Sequence, residues 1–256
     1  MKKSKIRAEQ PDWSKKWAVC RSFNTFTPLD SNRAALGQAE DVAKRPGDRA
    51  TNPLLLCSEV NGLGATHLME AVAFAYKECG MNVIFMSAER FSIWFQEACA
   101  NRSVDVFLRF LSAADALLID DIQFLCAPDR PAYLDELKKV LACFLAQDKQ
   151  VVMTTDASGY NESAAFLGNL PTLRVARLFR PTAEEKMKLL TAIAESEGSA
   201  ISADVNRYLA NLSTNNIRAL IGHYRRIVAC SSIHQRPVTV DWVSQLIGMK
   251  GMSNEL

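Results

Sequence analysis

The chain has 256 residues, of which 48% are hydrophobic and 23% are charged, so it is long enough to bury a sizeable core as a globular protein. Its formal net charge of +2 is too small to indicate a nucleic-acid-binding module by itself, and no run approaches the ~18 apolar residues of a membrane span. Residues 1–17 lack the apolar segment of a signal peptide, and the seven cysteines form no C-x-x-C pair. These features predict a cytoplasmic protein with reduced thiols.

Residues 1–22 form a basic arm, because seven lysines and arginines face only two acidic residues there. Two interpretations fit this arm. It is a solvated tail, or it contacts the phosphate backbone of DNA.

Strands and helices are predicted to alternate after the arm. A capped helix starts at Ser31 and ends near Pro46, and a buried strand follows at 53–57. A glycine-containing loop then leads into a helix that Gly80 ends. Later apolar runs lie at 82–86, 116–119, 150–154 and 173–178, between helical stretches near 88–100, 103–112 and 131–147. This order predicts an α/β fold whose mostly parallel, five-stranded sheet is flanked by helices on both faces.

The pattern changes after Pro181. Thr182 and Glu185 fit a capping box at the start of a helix, and further helices are predicted near 203–212, 215–231 and 239–248. We therefore expect a small all-helical lid. The predicted division is a basic arm at 1–22, an α/β core at 23–180, the lid at 181–250 and a tail at 251–256.

The loop after the first strand resembles a phosphate-binding loop of the form G-x-x-x-x-G-K-[ST], whose backbone N–H groups and lysine hold phosphates. Glu59 stands at the first glycine and Ala65 at the lysine, while Gly64 and Thr66 match the pattern. The loop thus keeps its turn and its hydroxyl but lacks its cation. We interpret it as a degenerate phosphate-binding loop.

Three other positions suit phosphoryl chemistry. Asp120 and Asp121 end an apolar strand, where one acid orients Mg²⁺ and a second positions water. Asp156 follows the next strand, and Arg218 starts a lid helix. Each has an ordinary alternative, because acids and threonines at strand ends often form turns and surface arginines are common.

Several blocks together resemble the AAA+ domain of the bacterial replication initiator family DnaA, over roughly residues 23–248. The blocks are Asn52-Pro53-Leu54, Gly62-Leu63-Gly64-Ala65-Thr66-His67-Leu68-Met69, Ser87-Ala88-Glu89-Arg90-Phe91, Asp120-Asp121-Ile122-Gln123-Phe124 and Asn216-Ile217-Arg218-Ala219-Leu220. Residues 23–26 and 31–33 are similar to the stretch that lines the adenine pocket. The resemblance implies an AAA+ P-loop fold. A module of this kind without the duplex-reading domain resembles the Hda type of regulator, which acts on the initiator.

The resemblance also implies roles for individual residues. Thr66 and Asp120 match the Mg²⁺ positions, Asp121 matches the second acid, and Asp156 and Arg218 match the two sensors. The other nucleotide-binding positions that it implies are Asn52, Gly62, Leu63, Gly64, Ala65 and His67.

Departures from the family pattern predict weak chemistry. Loss of the lysine is expected to weaken ATP or ADP binding with Mg²⁺ by about tenfold to more than a hundredfold, or to abolish it. Glu59 is expected to repel phosphates. No clear arginine finger is present, although Arg174 or Arg177 could stand in for it. Arg130 and Arg102 lie near positions similar to those that contact single-stranded DNA in the family.

Three functions remain open from the sequence. The leading hypothesis is a non-hydrolysing protein that binds the initiator DnaA or another AAA+ subunit, or copies of itself, and regulates replication initiation. One alternative is a weak ATPase with Asp120 and Asp121 as its catalytic acids. The other is a DNA-binding module that uses the basic arm and the core.

Overall fold

The computed structural model describes residues 21–126, 131–168, 170, 172–199, 201–212 and 216–248. Most of the basic arm, the tail and Arg130 lie outside these residues, so the expectations for them stay predictions. Within the described part of the chain, no helix is long and apolar enough to cross a lipid bilayer.

Five parallel strands form one sheet: β1 (Leu54–Ser58), β2 (Val83–Ser87), β3 (Ala116–Asp120), β4 (Gln150–Asp156) and β5 (Arg174–Leu178). Their spatial order is β2-β3-β4-β1-β5. The register places Ser58 beside Asp156 on one side and beside Leu178 on the other. The predicted parallel sheet is confirmed, and its inner strand β1, which lies between β4 and β5, is buried along its whole length, as its continuous apolar sequence requires.

Six helices accompany the sheet: α1 (Asp30–Lys44), α2 (Ala65–Glu78), α3 (Ala88–Ala100), α4 (Val104–Ser112), α5 (Pro131–Ala146) and α6 (Tyr160–Leu167). Alternate residues of β1 face opposite sides of the sheet. Leu55 packs in a core with residues of α3, α4 and α5, whereas Leu54 and Leu56 pack in a second core with residues of α1 and α2. The sheet is thus covered on both faces.

The remaining helices are α7 (Ala183–Glu197), α8 (Ala203–Asn211), α9 (Ile217–His234) and α10 (Val240–Gly248). They share a core of their own that includes Leu190, Leu209, Tyr224 and Val243. The capping box predicted at the start of α7 is confirmed: the Thr182 hydroxyl accepts from the Glu185 N–H at 3.2 Å, and the Glu185 carboxylate accepts from the Thr182 N–H at 2.8 Å.

Three short elements were not predicted. They are 3₁₀-helices at Phe23–Thr25 and Ile122–Cys126 and the helix α6. Each has eight residues or fewer, so its apolar positions give too few repeats to define a helical period.

Candidate functional site

A cavity of about 1200 Å³ opens at the carboxyl end of the sheet. The ends of β1 and β4, the loop between β1 and α2, residues 21–32, and the helices α7 and α9 contribute to its wall. In open α/β sheets, ligands bind at this end of the strands, because the loops that follow parallel strands meet there. The cavity is therefore the candidate site.

Two glycines shape the loop between β1 and α2. Gly62 and Gly64 have φ angles of 86° and 112°, a region that residues with a Cβ rarely adopt. A Cβ at Gly64 would lie 2.8 Å from the ring of Phe26, and one at Gly62 would overlap the side chain of Asn216. The loop thus needs both glycines for its conformation and for the close approach of its neighbours.

Ala65 is the first residue of α2 and lines the cavity. The residue is 7% exposed and its methyl side chain carries no charge. No cation therefore extends from the position where the general motif has a lysine.

Glu59 does not point its charge into this cavity, as the sequence suggested. Its Oε2 accepts a hydrogen bond from the backbone N–H of Arg180 at 3.0 Å, and its Oε1 lies 3.3 Å from Nε of the same residue. Glu59 is not among the residues that line the cavity. The expectation that it repels phosphates is therefore corrected, because Arg180 neutralises the carboxylate outside the cavity.

Thr66, Asp120 and Thr154 form a hydrogen-bonded group between α2, β3 and β4. The hydroxyls of Thr66 and Thr154 both donate to Oδ1 of Asp120, the former at 3.2 Å. Burial raises the pKa of Asp120, and the nearby charge of Asp121 adds to this effect, while the two hydroxyls oppose it. Thr154 also accepts from the backbone N–H of Asp121 at 2.8 Å, which fixes this residue at a φ of 57°.

These oxygen atoms fit the preference of Mg²⁺, which takes hydroxyl and carboxylate oxygens together with phosphate and water. Thr66 and Asp120 would hold such an ion. When bound, it would neutralise the charge of a phosphate beside it. Across the described residues, no group of three or more histidine, cysteine or acidic side chains could bind a metal by itself, so an ion here would need ligands from a bound nucleotide and water.

Three arginines line the cavity, and one of them, Arg225, lies 2.8 Å from a carboxylate oxygen of Glu197. Arg218 lines it, and its charge lowers the pKa of Asp120 and of Glu70, although burial raises both pKa values overall. Arg21 lies 3.0 Å and 3.1 Å from the two carboxylate oxygens of Glu70. The backbone N–H of Arg218 donates to the carbonyl of Gly62 at 3.2 Å, which anchors α9 to the loop.

The apolar residues that line the cavity include Phe26, Leu29, Ile193, Ile217 and Ile221. Phe26 meets the ring of His67 edge to face, with centroids 5.1 Å apart. Burial lowers the pKa of His67, so its imidazole is neutral near pH 7, and its Nε2 lies 3.2 Å from the carbonyl oxygen of Ser22. An aromatic and aliphatic wall beside a polar loop suits a ligand with a flat base and an anionic end.

The structure brings most of the predicted nucleotide-binding residues together. Those that line the cavity are Gly62, Leu63, Gly64, Ala65, Thr66, His67, Asp121 and Arg218. Asp120 joins them through its bond to Thr66. Leu63 is 2% exposed and packs in the core, so its side chain anchors the loop to the body of the protein.

The structure corrects the prediction that Asn52 binds a nucleotide. It precedes β1 and thus lies at the opposite end of the sheet from the loop. Its Oδ1 accepts from the backbone N–H of Val151 at 2.9 Å, and its Nδ2 donates to the carbonyl of Lys149 at 2.8 Å. Asn52 therefore joins β1 to β4, and it does not line the cavity.

Other predicted residues are engaged elsewhere. Asp156 accepts from Ser158 and from the N–H of Gly159, so its carboxylate caps the turn before α6 and does not line the cavity. Arg174 donates to the carbonyl of Ala50, and Arg177 lies 4.5 Å above the ring of Tyr160. Arg102, at a φ of 51°, follows α3 on the surface. Roles for these residues toward a nucleotide, a neighbour or DNA stay predictions.

Sequence reasoning noted the polar end of β4 but chose Asp156 rather than Thr154 there, and it missed the pairing of Arg21 with Glu70. Thr154 was visible as a polar residue at the end of an apolar strand, beside the strand that carries Asp120. Arg21 and Glu70 lie far apart in sequence, and no local pattern shows that they meet.

Comparisons with known proteins agree with this geometry. The family model for the bacterial DnaA ATPase domain matches residues 19–163. The chromosomal replication initiator protein DnaA of Gluconobacter oxydans is 32% identical over 230 residues, which is 88% of this chain and 47% of the relative. The DnaA of a Synechococcus strain is 32% identical over 251 residues, or 96% and 52% of the two chains. The chain thus spans about half the length of these relatives.

Solved structures share the fold. Domain III of the Thermotoga maritima initiator superposes with a TM-score of 0.80 at 23% identity, covering 89% of this chain and 95% of that domain. A structure described as the initiator DnaA bound to AMPPCP and single-stranded DNA gives a TM-score of 0.70 at 23% identity, covering 81% and 64% of the two chains. The chain belongs to the DnaA family and has its AAA+ fold, a parallel sheet flanked by helices with a helical region after it.

Proposed function

We propose that this chain is a DnaA-type AAA+ protein that does not hydrolyse ATP and that regulates replication initiation by associating with the initiator or another AAA+ subunit. The observation that carries the proposal is Ala65. It occupies the lysine position of a loop whose glycines, hydroxyl and acidic partner are otherwise in place.

The cavity favours an adenine nucleotide with Mg²⁺ as a weakly bound ligand. Its apolar wall suits a base, and Thr66 and Asp120 supply oxygen atoms for the ion. The arginines of the described cavity wall are Arg21, Arg218 and Arg225, of which Arg21 is paired with Glu70 and Arg225 with Glu197. A triphosphate would therefore be held with less charge compensation than in the general motif.

Association with another AAA+ subunit is supported by the preserved fold. A head-to-tail interface uses two different faces, so a subunit that presents only one competent face can end a growing filament. The face of this chain that the initiator binds determines whether the chain promotes or inhibits assembly.

Sedimentation velocity with the DnaA of the same organism tests the association. We expect a faster-sedimenting species in the mixture than in either protein alone, with and without ATP. Sedimentation of the two proteins as independent species at micromolar concentration contradicts the proposed partnership.

A weak ATPase is the second candidate, because the Thr66–Asp120–Thr154 group is fully formed. This alternative predicts phosphate release that Asp120→Asn abolishes. We expect no release above background from the wild-type chain at concentrations that allow assembly. Release that Asp120→Asn removes would establish the enzyme instead.

A further inference from the structure

We propose that Glu59 and Arg180 form a permanent clasp. This clasp sets the orientation of helices α7–α10 relative to the loop between β1 and α2 without a bound nucleotide. Glu59 is the first residue after β1, at the base of the loop. Arg180 lies in the segment 179–182 that joins β5 to α7. The two residues therefore connect the loop directly to the segment about which the helical region would turn.

The clasp continues the sheet beyond its last paired residues. Ser58 pairs with Leu178 in the β1–β5 register, and the backbone N–H of Glu59 donates to the carbonyl of Leu178 at 2.9 Å. The Glu59 carboxylate then takes the backbone N–H of Arg180 with one oxygen and its guanidinium with the other. Both the main chain and the side chain of Arg180 are thus held by one carboxylate.

Other bonds fix the same joining segment. The N–H of Phe179 donates to the carbonyl of Ser31 at 3.0 Å, and the N–H of Ser31 donates to the carboxylate of Glu185 at 2.8 Å. Because Glu185 also caps α7, the first turn of this helix is tied to the start of α1. The joining segment is therefore bonded on both sides.

The middle of the loop is bonded to the helical region as well. Arg218 of α9 donates its backbone N–H to Gly62, and Asn216 packs where a Cβ of Gly62 would lie. Glu59 and Gly62 thus connect the start and the middle of the loop to the joining segment and to α9. All these contacts are made by the protein itself.

A ligand shifts a hinge only by its differential affinity for the two orientations. Contacts that already favour one orientation reduce the change that a nucleotide can cause. Glu59 and Arg180 are 41% and 46% exposed, so solvent screens their attraction, and the charge-assisted bond to the N–H of Arg180 contributes most. When this carboxylate is removed, we expect the equilibrium constant that favours the observed orientation of helices α7–α10 over other orientations to fall by about threefold to tenfold.

Hydrogen exchange of the full chain tests the clasp, with the amide of Arg218 as the reporter because it bonds across to Gly62 without touching Glu59. In Glu59→Ala we expect this amide to exchange about threefold to tenfold faster, while the amides of Leu190, in the core of the last four helices, and of Leu55, in one core of the sheet, are unchanged. Glu184→Ala, an exposed acid on the first turn of α7, is the matched control and should leave the amide of Arg218 unaffected.

Two further measurements complete the test. The exchanged pair Glu59→Arg with Arg180→Glu should restore part of the protection, and Mg·ATP should not change the amide of Arg218 in the wild type. Equal exchange in Glu59→Ala and Glu184→Ala overturns the clasp, and so does strong protection of the wild type by Mg·ATP. Faster exchange in both cores at once would show general destabilisation and would also refute it. These outcomes are independent of whether the chain binds an initiator.

Discussion

The hydroxyl of Thr66 donates a hydrogen bond to Oδ1 of Asp120 at 3.2 Å, which joins the first turn of α2 to the end of β3. The same carboxylate oxygen accepts from Thr154, and the carboxyl group is mostly buried beside Asp121. The residue before Thr66 is a lysine in the general loop motif, but this chain has the uncharged Ala65 there. The acid is therefore desolvated with little compensating charge.

We expect Asp120→Asn to stabilise the protein at neutral pH. Burial raises the folded-state pKa of Asp120 above its unfolded value, so the fold favours the protonated form. The resulting stability is complete below the unfolded pKa and is lost as pH rises through the folded pKa. Asparagine keeps an oxygen that accepts from both threonines but carries no charge. The Tm of the Asp120→Asn variant at pH 7 should be higher than that of the wild type by about 2–4 °C, the shift that ~1 kcal/mol produces in a chain of this size.

Thermal unfolding from pH 3 to pH 8 measures this effect. The difference between Asp120→Asn and the wild type should disappear at the acidic end, where the wild-type carboxyl is also neutral. A variant that is less stable at pH 7 would show that the ionised form is favoured by the fold.

Ala65→Lys should tighten binding of ATP and ADP by about tenfold to a hundredfold, because it adds a charge-assisted contact to phosphate. Glu59 should not prevent this rescue, because Arg180 holds its carboxylate outside the cavity. Isothermal titration calorimetry measures both affinities. Ala100→Lys, at the exposed end of α3, adds the same charge away from the cavity and should change nothing. Equal, tight binding by the wild type and Ala65→Lys would refute this account of the loop.

The sequence predicted the sheet and most helices because their signals are local. Apolar runs such as residues 54–57 define buried strands, and Thr182 with Glu185 marks a helix start within four residues. The site was predictable only in part. Glu59 and Arg180 are 121 positions apart, so no sequence pattern near Glu59 indicates which residue its carboxylate binds. Asn52 was assigned by resemblance, and its role in joining β1 to β4 depends on a strand pairing that sequence does not specify.

Gly64→Ala should destabilise the protein by about 1–3 kcal/mol, because a Cβ at a φ of 112° is strained and meets the ring of Phe26. Chemical denaturation measures the change. Gly37→Ala is the matched control: Gly37 is exposed within α1, and a Cβ there has open space around it. This control should stabilise the protein by about 0.5–1 kcal/mol. A neutral Gly64→Ala would mean that the loop adopts another conformation.

Asn52→Ala should reduce stability without affecting the cavity. The change leaves the buried N–H of Val151 without its acceptor, now at 2.9 Å, and removes one of the two hydrogen bonds that the Gln150 side-chain nitrogen makes, the one at 3.1 Å. The unpaired N–H costs about 1–3 kcal/mol, and the lost bond of Gln150 costs about 0.5–1.5 kcal/mol. We therefore expect a loss of about 2–4 kcal/mol in urea unfolding, with the affinity of Ala65→Lys for ATP unchanged when Asn52→Ala is added. Asn24→Ala, in the cavity wall and exposed, should show the reverse pattern, with little loss of stability and weaker ATP binding. If Asn52→Ala weakened ATP binding while the sheet kept its stability, the nucleotide role first expected for Asn52 would be reinstated, because only a direct contact separates the two effects in that way.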